Sequence, residues 1–292
     1  MMRVVLVAGG GAVPLKEPFG CGFDPIGNLW IIEMASGNRL LKRDGKGVLT
    51  TVAGPQPFNG PHNLAVLPDG DVLVADTWNG MIRRVAAKTG SVSVLPGFSV
   101  PADQAKAAGP YCITLDFAGK TLFIADLRRV QALELATGQL RVVAGSGKKG
   151  VPQDGALALD SPLADPRAVA PDRQGNVYIL ERGGNALRVV DKAGRIRTLV
   201  QGTLKGPKHL CIDKDDSVLI ADAENHVIRR YLPQTGKLEI VAGTGKAGSE
   251  GLGRDPKECQ LNRPHGVTVH PKTGEIYITD SYNNRILSIS RG

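Results

Sequence analysis

The sequence predicts an all-β chain: one six-bladed β-propeller of four-stranded antiparallel blades, the last blade closed by the N-terminal strand. Three observations carry this. A phrase opening on proline returns six times, at Pro18, Pro61, Pro110, Pro166, Pro207 and Pro264. Five copies finish in an apolar run that meets a glycine: Val52-Ala53-Gly54, Val94-Leu95-Pro96-Gly97, Val143-Ala144-Gly145, Val200-Gln201-Gly202 and Val241-Ala242-Gly243. The sixth has no such finish, and the missing piece lies at the opposite terminus, in Val4-Val5-Leu6-Val7-Ala8-Gly9. A repeat completed from the other end of the chain is a ring, and loops from every repeat converge on its axis.

The second repeat shows how each blade is built. His62 to Leu67 reads as a strand, Pro68-Asp69-Gly70 as a turn and Val72-Leu73-Val74-Ala75 as the next strand. Met81 to Val85 and Ser91 to Leu95 follow, divided by Lys88-Thr89-Gly90. Val and Ile in the runs, with Gly, Pro and Asp at the breaks, is strand-and-turn chemistry. No long apolar stripe of helical period interrupts it. Four strands in roughly 40–50 residues is the period of a propeller blade. The blades then fall at 18–54, 61–97, 110–145, 166–202, 207–243 and 264–290 plus 3–9, within one domain over 1–292. Laying the N-terminal strand on the last blade also covers an exposed sheet edge.

Composition narrows the partners. Thirty-six basic against 28 acidic residues give +8, a surface that favours anions. Six Phe, five Tyr and two Trp are few for a platform that stacks nucleobases. Cys21, Cys112 and Cys211 fall inside first strands and Cys259 ahead of the sixth blade, with no CxxC spacing, so they read as reduced core thiols. Met1-Met2-Arg3 and the four apolar residues after it are too short for a signal-peptide core. No run is long enough to span a bilayer. The expectation is a monomeric cytoplasmic protein with no membrane partner; a leader removed upstream would leave the same sequence and a secreted protein.

Two groups of residues invite a functional reading. The first is the acid that ends each second strand. Asp76-Thr77-Trp78-Asn79, Asp222-Ala223-Glu224-Asn225 and Asp280-Ser281-Tyr282-Asn283 repeat so regularly that a structural role, capping the following turn, is expected. Blades one and four carry Glu33 and Glu181 instead, and blade three has Asp126-Leu127-Arg128-Arg129 with no Asn. The longer Glu side chains either project over the axis as catalytic carboxylates or are drift in a tolerant loop.

The second group follows the repeat-opening prolines: Phe19, His62, Tyr111, Arg167, Lys208 and His265. Each begins an innermost strand at the end where the inter-blade linkers enter, so the six are expected to ring the channel mouth. Two imidazoles, a phenol and two cations, with no acid, attract an anion and offer proton-transfer groups beside it. His62, His265 and Tyr111 join Glu33 and Glu181 as candidate catalytic residues. Phe19, Arg167 and Lys208 are candidate substrate-binding residues. His209, one residue out of phase with Lys208, is expected to face away. The linkers 145–166 and 243–264 are long and Gly-rich, which suits either lids or braces.

The repeat resembles the NHL repeat over nearly the whole chain. The residues that carry the likeness are Pro264-His265-Gly266-Val267, the Asp-Pro-Gly type of turn, the Ala-Asp-x-x-Asn strand ends and Ala242-Gly243-Thr244-Gly245-Lys246-Ala247-Gly248. That family includes RNA- and protein-binding modules, extracellular sensors and enzymes, so the likeness implies the fold more than the function. It is also similar to two groups of six-bladed enzymes, the metal-dependent (SMP-30) gluconolactonases and the peptide-amidating lyase. In the lyase a Pro-His pattern in alternate blades binds zinc through three histidines. Pro61-His62 and Pro264-His265 match it, whereas the third position holds Arg167, which cannot ligate a metal. The Glu, Asn and Asp that the gluconolactonase pattern needs are absent.

Three roles therefore stay open for His62 and His265: ligands of Zn²⁺ or Ca²⁺ completed by Glu33 or Glu181, an acid–base pair without metal, or neutral residues lining a water-filled channel. The favoured function is a cationic axial mouth that binds an anionic small molecule, with lactonase- or lyase-like turnover (a hydrolase or a lyase) left open. A protein-interaction scaffold and an RNA-binding surface are the alternatives. The pairs Arg83-Arg84 and Arg229-Arg230 lie in third strands, where alternation sends neighbours to opposite faces and disperses the charge, so nucleic acid is the weaker partner.

Overall fold

Each expected strand is present, and the last sheet takes its outer strand from the N-terminus. The computed structural model describes residues 2–11, 13–101 and 104–290. After β1 (Arg3–Ala8), blade one comprises β2 (Pro18–Phe23), β3 (Leu29–Glu33), β4 (Leu40–Arg43) and β5 (Leu49–Ala53). Blade two is β6 (Asn63–Val66), β7 (Val72–Asp76), β8 (Met81–Val85) and β9 (Val92–Ser99). A single turn of helix, α1 (Ala105–Ala108), precedes blade three, which is β10 (Cys112–Leu115), β11 (Thr121–Ala125), β12 (Val130–Glu134) and β13 (Leu140–Ala144). Blade four is β14 (Pro166–Pro171), β15 (Val177–Glu181), β16 (Ala186–Val190) and β17 (Ile196–Gln201). Blade five is β18 (His209–Ile212), β19 (Val218–Asp222), β20 (Val227–Leu232) and β21 (Lys237–Ala242). Blade six is β22 (Gly266–Val269), β23 (Ile276–Asp280) and β24 (Arg285–Ser290). β1 pairs antiparallel with β24, from Arg3 opposite Ser290 to Leu6 opposite Leu287, and closes the ring.

The second strands are the most buried because they are covered on both faces by neighbouring blades. All five residues of β3, β7, β15 and β19 are buried. The apolar clusters lie between blades, as with Trp30, Leu64, Val74 and Val85 between blades one and two.

The acid ending each second strand is an anchor for the incoming linker. Asp76 accepts the Asn59 N–H at 2.7 Å, the Asn79 side-chain amide at 2.8 Å and Arg83 Nε at 2.5 Å. Asp222 and Asp280 repeat the pattern, with Lys205, Asn225 and Arg229 and with Asn262, Asn283 and Arg285. The caps expected on the turn itself are thus ties to a segment 17 or 18 residues upstream.

Glu33 and Glu181 do the same and do not project over the axis. Glu33 accepts Lys16 N–H at 2.7 Å and Arg39 Nε at 2.7 Å; Glu181 accepts Ala164 N–H at 2.5 Å and Arg188 Nε at 2.5 Å. Both carboxylates are fully buried, so their longer stems reach the same partners from a slightly different turn. In blade three Asp126 turns inward to the Arg128 and Arg129 N–H groups and Gln131 instead.

A second tie joins blades. Asn38, Asn185, His226 and Asn284 sit at left-handed backbone positions just before third strands. Their side chains accept the N–H of Gly60, Gly206, Arg263 and Glu17, the residues before the next blade's proline, at 2.7–3.2 Å. The linker 145–166 lies on β17 through Gly155 N–H to Ile196 and Ala158 N–H to Gly194, and 243–264 lies on β1 through Gly253 N–H to Val4. Both long linkers are braces.

Arg188 and Glu181 are both fully buried, so removing one partner strands a charge. Glu181→Leu is expected to cost about 3–5 kcal/mol in urea unfolding, and Glu181→Leu with Arg188→Met to recover most of it. A single-variant cost below about 1 kcal/mol would mean that this pair behaves like an exposed one.

Candidate functional site

The innermost strands carry the same irregularity in every blade. His62 donates its N–H to Ala75, and the next residue, Asn63, also pairs with Ala75. Tyr111 and Cys112 share Ala125, Lys208 and His209 share Ala221, and His265 and Gly266 share Thr279. In blades one and four the register skips Phe19 and Arg167. Two residues opposite one is a bulge, and it turns two consecutive side chains toward the axis.

The first residues of these bulges meet around one opening. Phe19, His62, Tyr111, Arg167, Lys208 and His265, with Asn63 and His209, line a cavity of about 30 Å³. Five of the six stack in blade order. His265 lies 4.0 Å from Phe19, Phe19 5.1 Å from His62, and His62 5.6 Å from Tyr111, between ring centroids. The Arg167 guanidinium covers Tyr111 at 3.5 Å. Lys208, in the sixth place, completes the circle.

Each group has a defined state. His62 Nδ1 meets the Gly60 carbonyl at 2.8 Å, which makes Nδ1 the protonated nitrogen. Burial, with help from Arg167 and Lys208, pushes His62 down to about 3. Burial and the nearby Lys208 hold His265 well below the ordinary imidazole range, and its Nδ1 is buried without a hydrogen-bond partner. Tyr111 donates its hydroxyl to the Ala107 carbonyl at 2.5 Å, which ties up the phenolic proton. Arg167 lies 3.0 Å from Asp165, which also stands 3.9 Å from Arg182. Burial, then Arg182 and Arg167, lower Lys208 to about 8, and it has no ion-pair partner among the described residues.

Asn63 and His209, the second residues of two bulges, form a bar beneath this ring. Their side chains come from opposite blades and meet at 3.1 Å. Asn63 also accepts the Ile113 N–H at 3.1 Å, and His209 Nδ1 lies 3.1 Å from the Val267 carbonyl. His209 therefore faces the channel, against the expectation from simple alternation: the bulge breaks the period of two. The available signal was polarity at a position that is Gly20, Cys112, Ala168 or Gly266 elsewhere.

The residues do not fit a metal. Glu33 and Glu181 are held by arginines, Phe19 contacts both imidazoles, and Arg167 and Lys208 repel a cation. Among the described residues no three His, Cys, Asp or Glu side chains group to hold one. Arg83 and Arg229 pair with Asp76 and Asp222 while Arg84 and Arg230 pair with Asp71 and Asp213, so these doublets split across two faces.

The fold is a six-bladed propeller whose innermost strands bring two imidazoles, a guanidinium and an ammonium to one opening. The Teneurin NHL domain model matches residues 52–204, just over half of the chain, and the NHL repeat model matches 261–287. The chain belongs to the NHL-repeat family. It is 26% identical over 273 residues to Teneurin-m of Drosophila melanogaster, covering 80% of this chain and 10% of that protein. It is 22% identical over 338 residues to NHL repeat-containing protein 2 of Bos taurus, covering 94% of this chain and 46% of that one. The chain thus spans less than half the length of either relative. Among solved structures, a streptogramin B lyase superposes with TM-score 0.66 at 17% identity, covering 99% of this chain and 97% of that one. One described as a gluconolactonase gives 0.68 at 14%, covering 99% and 92%. At such identities the superpositions show the fold alone. No described helix is long and apolar enough to cross a membrane.

The imidazoles set an acid limit on stability. His62, His209 and His265 bind protons less readily folded than unfolded, because burial lowers all three. Their contribution is complete above pH 6.5 and is lost as pH falls toward 3–4. Urea midpoints at pH 7.5 and 4.5 should differ less for His62→Phe and His265→Phe than for the native chain.

Proposed function

We propose that this chain is an anion-binding propeller, whose axial mouth takes one carboxylate-sized group presented by a larger molecule lying on the linker face. The observation that carries the reading is Lys208. Its ammonium has no ion-pair partner among the described residues, yet burial and then Arg182 and Arg167 push its proton off. An incoming carboxylate relieves that repulsion and gives the ammonium a counter-charge. The orphaned His265 Nδ1 adds a neutral polar atom at the same opening. A cavity of about 30 Å³ holds about one water-sized group, so it takes a ligand's tip.

Binding is favoured over turnover by the chemistry of the ring. A general base works best with a pKa near the operating pH. His62 at about 3 is a weak base, and protonating it places a third cation beside Arg167 and Lys208. The lyase and the gluconolactonase share the fold, and these imidazoles do not supply the base that such chemistry calls for.

A second reading, a module that docks an acidic protein segment, draws on the relatives. Teneurin-m and NHL repeat-containing protein 2 are much longer than this chain, so the matching region is one part of each. Arg182 and Arg263 extend the positive sector beyond the mouth.

Titration calorimetry with acetate, gluconate and phosphate at pH 7.0 and 9.5 tests the reading. Gluconate or acetate is expected to bind at pH 7.0 and to weaken at 9.5, because Lys208 carries its charge below about 8 and loses it above. Lys208→Met should weaken binding at least about thirtyfold, as loss of a buried charge partner does. Equal affinity in Lys208→Met, or none of the three anions binding, overturns the proposal. Binding of a polyglutamate peptide alone would move the conclusion to the protein-docking module.

A further inference from the structure

Below the Asn63–His209 bar the channel opens again into a chamber of about 230 Å³ that is chemically unlike the mouth. We propose that this lower chamber is a separate binding site for a compact, uncharged, mostly apolar molecule no larger than a fused pair of aromatic rings. The inference is independent of the anion-binding mouth, because the bar divides the two.

The chamber exists because one tier of the ring is small in every blade. Two residues beyond each bulge stand Gly22, Ala65, Thr114, Ala170, Cys211 and Thr268, all of which line it. Inner-strand alternation points this tier inward, and a single Leu or Phe there would fill the space. Gly22 is short for a second reason: a Cβ would stand 3.0 Å from the Leu64 side chain.

The ligand class follows from the lining. No Asp, Glu, Lys or Arg contributes to it, although the chain carries +8 overall. His209 is neutral, pushed to about 4 by burial, and the Cys211 thiol is driven up by burial, so neither charges the chamber near pH 7. A charged guest would lose its hydration with no counter-ion to meet it. The Asn63 and His209 ceiling and the Thr114 and Thr268 hydroxyls provide polar atoms for one donor or acceptor on the guest. An apolar protein cavity of about 150 Å³ accepts benzene. At about 230 Å³ this one has room for a bicyclic aromatic.

Aromatic rings stand at the opening. Phe23 and Phe117 line it, and Phe117 is 56% exposed, with the Arg173 guanidinium 4.3 Å from its ring. Large apolar side chains left in water at a cavity entrance are what an apolar guest would cover.

Indole and its charged relative indole-3-carboxylate are the probes. On adding indole, the methyl signals of Ala65 and Ala170 in a ¹H–¹³C spectrum should move while those of Ala8 and Ala158 stay. Thr114→Leu and Thr268→Leu, made separately and checked for native thermal unfolding, should each weaken indole uptake at least tenfold. Unmoved Ala65 and Ala170 methyls in the native chain overturn the proposal without any variant. Ala65 and Ala170 methyl shifts with indole-3-carboxylate equal to those with indole, or undiminished indole uptake in a folded filling variant, do so too.

Discussion

The carboxylate at the end of each second strand holds the propeller's geometry. In five blades it gathers the linker's N–H and an arginine in or just before the third strand, and in blades two, five and six an Asn amide of the turn as well, the carboxylate itself being fully buried. Taking a carboxylate out of water costs several kcal/mol, and charge-assisted hydrogen bonds on several of its lone pairs offset that cost. What the arrangement secures is position. The tied N–H belongs to the residue two places before the repeat-opening proline, so the anchor sets where that blade's first strand begins. The mouth side chains follow at once, which makes their convergence a consequence of these buried ion pairs.

The left-handed residues before the third strands extend the same logic from blade to blade. Asn38, Asn185, His226 and Asn284 accept an N–H from the following linker, linking blade one to two, four to five, five to six and six to one. Gly80 takes the left-handed position in blade two and has no side chain to offer. Blade three is the departure. Its linker carries α1, its Asp126 serves its own turn, and Tyr111 is fixed through its hydroxyl to Ala107. Tyr111 in turn supports Arg167 by stacking, so blades three and four, which lack the Asn tie that joins four to five, are joined at the mouth by a guanidinium on a phenol ring.

The ring was legible in the sequence because its evidence is additive. Six copies of Pro-x-small-apolar, five matching ends and one displaced strand leave one closed arrangement. The convergence of Phe19, His62, Tyr111, Arg167, Lys208 and His265 was legible too, since equivalent positions in a ring share a direction. His209 was misplaced because a bulge has no mark in sequence: strict alternation sends it outward, and the shared partner Ala221 turns it in. Glu33 and Glu181 were misleading for the opposite reason. Their departure from Asp suggested a new role, whereas one extra methylene on an altered turn reaches the same linker N–H and the same arginine. Substitutions that preserve a buried contact are invisible until the partner, 17 residues upstream, is known.

Charge at the mouth is limited by its own burial. Two imidazoles are kept neutral there because a proton on either would join Lys208 and its neighbouring guanidiniums in a poorly hydrated space. Lys208 is itself brought to about 8, first by burial and then by Arg182 and Arg167, with Glu224 and Asp165 too few to compensate. Asp165 is divided between Arg167 and Arg182, so one carboxylate faces two guanidiniums and an ammonium. A ring that neutralised its own charge would be more stable and would present nothing to an anion. Leaving the imbalance in place weakens the folded state as pH falls from the ordinary lysine range to about 8, and leaves the ammonium with no ion-pair partner among the described residues. The same burial that keeps the upper imidazoles neutral keeps His209 neutral in the bar, so the chamber below is uncharged although Arg167 and Lys208 stand just above it.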